Sequence, residues 1–297
     1  MTKLAKKDNK NKARVKRTRA QEIWHQFRKN KGAIIGLIIL GILIFLAVFG
    51  GKIWDFKAVV TKTYIRNQLA GISKEHPLGT DHLGRDMLAR IGYGTRYSLL
   101  IGTGAVSIAI LLGTTTGAIA GYYGDPVETI IMRIVEIFLM IPGMLLIICV
   151  VTALGASVPS LILGIGLTTV PYFARIARSS VLTVRNCEYI EAAKAVGASD
   201  LQIIVRHVIP NGLSPILVQI TLTVASSIVT ASSYSFLGLG VPAPNPEWGT
   251  LLSEGRTFIR SNPELTLFPG LAIMITVLAL NLIGDGLRDA LDPKLKR

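Results

Sequence analysis

Six stretches of the chain carry no charged residue at all: 32–50, 98–120, 137–156, 158–174, 212–234 and 265–284. A helix rising about 1.5 Å per residue needs roughly 20 apolar residues to cross a bilayer core, so each run is long enough, or nearly so, to span. Half of the 297 residues are hydrophobic, only 17% are charged and the mean hydropathy is +0.50, values that exclude a soluble domain of this size. The expectation is an all-α membrane protein with six transmembrane helices. Gly155, Ser157 and Pro159 supply a turn between the third and fourth runs. The third helix is expected to begin earlier, near Val127, and to take Arg133 and Glu136 into its first turns.

Charge sets the orientation. Residues 1–31 hold twelve Lys or Arg against Asp8 and Glu22, a net of +10 out of +14 for the chain. Such a run suits nucleic acid, a targeting peptide or a cytoplasmic flank. The uncharged run that follows is too long for a signal-peptide core, so the flank is preferred and nucleic acid is not expected as a partner. With six spans both termini and the segment 175–210 then face the cytoplasm, and Lys and Arg divide 22 inside to 10 outside, as the positive-inside rule requires. The outer loop 52–97, with eight basic and four acidic residues, departs from the rule, which binds long loops less. Cys149 and Cys187 imply no disulfide.

One polar segment interrupts this apolar chain: EYIEAAKAVGASDLQIIVRHVIPN, residues 188–211. Tyr189, Ala192, Ala193 and Val196 recur at helical spacing opposite Glu188, Glu191 and Lys194, which predicts a short amphipathic helix. After Gly197, Ser199 and Gln202 form a capping box, and Leu201, Ile204, Val205 and Val208 repeat the stripe. Two short helices are therefore expected to meet at a glycine, with Pro210 ending the second before the fifth span. A helix resting on the inner leaflet is the plainer alternative.

Glu191-Ala192-Ala193, three residues, Gly197 and then a basic and apolar stretch to Pro210-Asn211 resembles the EAA loop of permease subunits in type I bacterial ABC importers. His207 stands where the general pattern has isoleucine, a departure associated with the peptide-importing branch. HPLGTDHLGRDMLARIGYGTRYSLLIG (76–102), GYYGDPVETIIMRIVEIFLMIP (121–142) and SFLGLGVPAPNPEWGTLLSEGR (235–256) resemble the C-type permease of dipeptide, oligopeptide and nickel importers. The resemblance runs from about His76 to the C-terminus. It implies a type I permease fold, with a basic arm (1–31), a first transmembrane helix (32–50), an extracytoplasmic loop (51–96), a permease core (97–288) containing the coupling loop (186–210), and a cytoplasmic tail (289–297). It implies that Glu188, Glu191, Ala192, Ala193, Gly197, His207 and Pro210 meet an ATPase. The implied partners are a B-type permease, two ATP-binding subunits, an extracytoplasmic solute-binding protein, a peptide solute and the lipid bilayer of a bacterial inner or plasma membrane.

Other chemistries fit less well. His76, Asp81, His82 and Asp86 are metal-ligand types, but the segment is rich in turns and nothing fixes the four together. A periplasmic cap, gate or binding-protein contact formed by His76, Gly79, Asp81, Gly84, Arg85 and Asp86 is preferred. Arg133 and Glu136, three apart, are read as an ion pair and a candidate gating contact. Gly113 and Gly117 make a small-residue face for helix packing. Trp248 and Tyr234 are placed at the outer interface, and Pro142, Pro171, Pro215 and Pro269 at bends. The chain lacks the G-x-x-x-x-G-K-[ST] phosphate loop, so no enzymatic activity and no cofactor of its own are expected, with ATP and Mg held by partners. An intramembrane enzyme would need facing catalytic groups, yet His25, His76, His82 and His207 all lie outside the spans. A secondary transporter would show midplane charges and paired broken helices, neither of which is expected here. A nickel or other small-solute importer is the alternative within the transport reading.

Overall fold

The computed structural model describes residues 19–291; most of the basic arm (1–18) and the end of the tail (292–297) lie outside the described residues. Among the described residues the chain is helical, with a single bridge between Thr80 and Asp86. Helix α1 (Arg19–Phe27) precedes α2 (Lys31–Ile53). α3 (Met87–Ala109) continues through a π turn into α4 (Thr115–Tyr123), and α5 (Val127–Met140) is followed by α6 (Gly143–Leu154) and α7 (Val158–Val184). Then come α8 (Glu188–Ala195), α9 (Asp200–Ile203), α10 (Ile209–Phe236), α11 (Trp248–Gly255) and α12 (Glu264–Leu291). Five helices are long and apolar enough to cross a membrane, and α5 with α6 makes a sixth when the pair is counted as one span.

α7 lies at the centre, packed by α3, α4, α6 and α10, while α12 packs on α10 and α2. The approach of α4 to α7 is a backbone contact: a Cβ on Gly117 would lie 2.1 Å from the Ala174 carbonyl oxygen. The small-residue face therefore does the packing expected of it. The start of α2 and the end of α12 lie together, because Asn30 caps α2 by accepting from the Ala33 N–H and donates to Asp289 at 3.1 Å. The third span does begin at Val127, and Ser157 caps α7 by accepting from the Ser160 N–H.

Four expectations need correction. The second span starts at Met87, well before the uncharged window, so the expected boundary at 96/97 falls inside α3. Arg90 and Arg96 belong to this helix, and Arg90 is tolerated there because acidic residues from elsewhere neutralise it. Pro210 does not end a helix: 200–236 is one continuous helix. A π turn at Ile204–Val208 makes this possible, with the Ile209 N–H reaching the Ile204 carbonyl, which moves the preceding carbonyls out of the proline ring's way. The Asn211 side chain then donates to the His207 carbonyl at 2.7 Å. Trp248 and Tyr234 are buried rather than interfacial; the Trp248 indole donates to the Ile91 carbonyl at 3.0 Å within the main core. Finally, a broken span is present. α5 and α6 meet at 83°, because Pro142 forces Ile141 into extended backbone (φ −75, ψ 121) and the helix restarts after it.

Candidate functional site

At one end of the bundle, α8 and α9 fold back under α4. Gly197 joins them with φ +82, a conformation that favours glycine, as expected of a sharp turn there. Ser199 caps α9 by accepting from the Gln202 N–H at 3.4 Å. The buried side of this hairpin is Ile190, Ile203, Ile204 and Val208, packed with Ala193 and Ala198 against Ala118, Tyr122 and Val181. The apolar stripe read from the sequence divides between this buried side and the outside. Tyr189, Val196, Leu201 and Val205 point outward, with Val196 84% and Leu201 72% exposed. Glu188, Glu191 and Ala192 are also exposed, and His207 is half-buried. The loop consequently presents an apolar patch flanked by two carboxylates.

Two contacts tie this hairpin to α4 and a third braces the end of α7 just before it, and none was anticipated from the sequence. The Tyr122 hydroxyl, at the end of α4, donates to Asp200 at 2.7 Å. The Lys194 ammonium sits 5.2 Å from the centre of the same ring. The Arg185 guanidinium donates to the Gly121 carbonyl at 3.1 Å, on the last turn of α4. Since α9 runs unbroken into α10, a displacement of the hairpin is transmitted to two spans at once.

At the opposite end, residues of the outer loop meet α3 and α11. Asp81 accepts from the Arg85 Nε at 2.7 Å and from Arg90, and Glu254 accepts from Arg85 at 3.0 Å and Arg90 at 2.6 Å. Asp81 also accepts the N–H groups of Leu83 and Arg85. Asp81, Arg85 and Arg90 are buried, so this is a closed cluster of two cations and two anions. Burial alone would raise the Asp81 carboxyl, but Arg90 and Arg85 outweigh it and bring the group below its ordinary value of 3.8. Gly79 and Gly84, with φ +73 and +75, turn the loop back onto the cluster.

The four metal-ligand candidates are not brought together. His76 Nδ1 lies 2.8 Å from Asp86, which caps α3 through the Ala89 N–H, while His82 stacks on Phe258. Donor atoms of Asp81, His82 and Glu254 do lie within 4.8 Å of one another. A metal ion there would have to displace two buried guanidinium groups. Of the cluster, Asp81 and Arg85 were singled out in the sequence; Arg90 and Glu254 were not.

Arg133 and Glu136 pair at 3.1 Å on α5, but they are 76% and 58% exposed. A more buried pair lies beside them, Arg178 of α7 with Glu128 of α5. Both pairs and Arg175 line a polar cleft of about 400 Å³.

A six-span helical bundle with a helical hairpin docked under one end and an ion-paired cap at the other has the architecture of a type I ABC importer permease. Residues 113–297 match the family described as binding-protein-dependent transport system inner membrane component, and residues 18–70 match the N-terminal TM domain of oligopeptide transport permease C. The chain belongs to the binding-protein-dependent transport system inner membrane component family. It is 48% identical to the dipeptide transport system permease protein DppC of Alkalihalophilus pseudofirmus, over 93% of this chain and 90% of that protein. It is 41% identical to the glutathione transport system permease protein GsiD of Pectobacterium atrosepticum, over 94% of this chain and 93% of that protein. A solved inward-facing MetNI methionine ABC transporter shares the fold, with a TM-score of 0.58 at 18% identity, covering 69% of this chain and 98% of that chain. The protein is a multi-pass membrane component of a transport system.

Proposed function

We propose that the chain forms half of the translocation pathway of an ATP-driven importer of di- or oligopeptides. The observation that carries this reading is the hairpin 188–203, whose outward apolar patch and flanking carboxylates are exposed while its other side is bolted to α4 and leads directly into α10. Such a surface suits insertion into a cleft of an ATPase, with Glu188 and Glu191 facing basic residues at its rim. The named relatives, which transport dipeptide and glutathione, support a peptide solute over nickel. The chain lacks a phosphate loop, so ATP and Mg are bound by two partner subunits, and hydrolysis reaches the spans through Tyr122, Asp200 and the α9–α10 helix. A second permease completes the pathway, and the cap around Asp81 faces a solute-binding protein outside. Both termini and the hairpin lie in the cytoplasm by the charge of the arm. Arg133 and Glu136, exposed near the cytoplasmic cleft, act as a gating contact whose partner changes between outward and inward states.

The test is uptake into proteoliposomes holding the complete complex. ATP with binding protein should drive dipeptide accumulation, this chain alone should neither hydrolyse ATP nor transport, and Glu191→Ala should weaken ATPase docking. Truncating one partner of a desolvated charge pair costs about 2–5 kcal/mol. Gradient-driven uptake by the chain alone would overturn the proposal.

A further inference from the structure

The break in the third span creates an unusual set of hydrogen-bond donors midway along it. α6 starts at Gly143 directly after Pro142, which offers no side-chain cap. Pro142's carbonyl accepts from Leu145 and Leu146, but among the described residues the N–H groups of Gly143 and Met144 have no partner. In a membrane-embedded segment an unsatisfied N–H is costly, and it persists where it lines a path or a ligand site. Gly143 and Met144 line a cavity of about 360 Å³, within the range of small-molecule sites. Tyr234 of α10 lines the same cavity, is 7% exposed, and its hydroxyl has no hydrogen-bond partner among the described residues. Tyr172 and Thr230 add two more hydroxyls without a partner there.

The composition of this wall specifies its complement. The donors are two N–H groups at the positive end of a 12-residue helix and three hydroxyls, and no carboxylate or basic side chain lines the cavity. A metal cation finds no carboxylate or thiolate ligand in it, only the end of α5 and its cap residue (138–141) on one side, while a solute carboxylate is met on the other by the N-terminus of α6 and by O–H donors. Without a fixed cation the site holds its ligand loosely, as a station on a transport route must. We propose that the α5–α6 break and Tyr234 form a transit subsite for the carboxylate of the transported solute, which for a peptide is its C-terminal carboxylate. This rests on the peptide reading given above.

The local geometry permits a clean test. Pro142 is extended (φ −55, ψ 119), which suits a residue preceding proline, and a Cβ at Gly143 would meet nothing closer than Thr168 at 3.7 Å. Proline is tolerated at a first helical position, so Gly143→Pro deletes one N–H without bending α6. Gly143→Ala keeps it. In the complete complex in lipid nanodiscs, with Cys149 and Cys187 replaced by serine, Leu146→Cys places a thiol on the cavity wall. Dialanine should slow its labelling by a small thiol reagent, and dialanine amide should do so at about tenfold higher concentration. Tyr234→Phe and Gly143→Pro should each raise the protecting concentration of dialanine about tenfold, the loss of one hydrogen bond to a charged group, with Gly143→Ala unchanged. Equal protection by acid and amide, protection by neither, or protection unmoved by both variants overturns the subsite. Dipeptide uptake by the unmodified complex is measured alongside. Uptake without protection removes the subsite and leaves the peptide reading, whereas protection by the acid without uptake of any peptide does the reverse.

Discussion

Replacing Asp81 by asparagine keeps the size of the side chain and removes one charge from a buried cluster that holds two of each sign. Arg90 is fully buried and Arg85 nearly so, and after the change both depend on Glu254 alone. Breaking a buried pair by removing one partner costs about 3–5 kcal/mol, because the remaining charge is left uncompensated. Asparagine retains an acceptor for the Leu83 and Arg85 N–H groups, so the expected loss lies at the lower end, about 3 kcal/mol. The loss should concentrate in the outer cap, since the ion pairs of the cluster join the loop to α3 and α11. Hydrogen exchange of residues 62–86 in the purified complex reads it directly, as an opening made about 100-fold easier. Arg90→Met, which removes one cation and leaves an apolar stem, should partly rescue the variant, with a coupling of about 1–3 kcal/mol between the two positions. Exchange unchanged in Asp81→Asn, together with strict additivity of the two substitutions, would refute the reasoning that the cluster holds the cap.

Three further outcomes follow from the same structure. Because the Asp81 carboxyl is held below its ordinary 3.8, its contribution is complete above that pH and is lost as pH falls through the lowered value; protection of the cap, taken relative to the intrinsic exchange rate at each pH, should therefore stay flat from pH 7 to about 4.5 and fall only in stronger acid. A cysteine at Ile72, which is exposed, should be labelled only from outside and one at Ala5 only from the cytoplasm, and the reverse pattern would invert the topology. Tyr122→Phe deletes the donor to Asp200 and should loosen the hairpin by about 1.5–3 kcal/mol, seen as faster exchange over 188–203 with the spans unaffected.

The spans were legible because freedom from charge over a bilayer's thickness is a local property of the chain. Their ends were not. The second span was started at 97 because a charge-free window excludes Arg90 and Arg96, and the partners that let Arg90 enter the helix are Asp81, in the preceding loop, and Glu254, which reaches it only through the fold. Pro210 looked like a helix stop because a π turn and the Asn211 side chain, which make room for it, leave no mark in hydrophobic periodicity. The hairpin shows a different failure. Periodicity found an apolar stripe on one side of each short helix without saying what covers it; Val196 and Leu201 face out and Ile190 is the buried anchor. Periodicity reports that a face will be covered without saying whether this chain covers it. Gly197 was legible because a turn between two capped helices demands positive φ, and the chain places its glycine there. Pro142 was noted as a site of bending, but the 83° break and the donors it bares required three dimensions.

If motion of the hairpin 188–203 links ATP hydrolysis to transport, as proposed, Gly197→Val should uncouple the two. A Cβ there would meet nothing within 4 Å, so packing is untouched and the whole effect is backbone strain at φ +82. For a β-branched residue that strain is about 1–3 kcal/mol, enough to shift the angle between α8 and α9 by a factor of roughly 5–150 in population. The measurement is ATP hydrolysis by the reconstituted complex with and without peptide-loaded binding protein. The variant should assemble and hydrolyse ATP at its basal rate but lose stimulation by solute and uptake together. Assembly with stimulation and uptake both at the level of the unmodified complex would contradict it and leave the hairpin a helix resting on lipid.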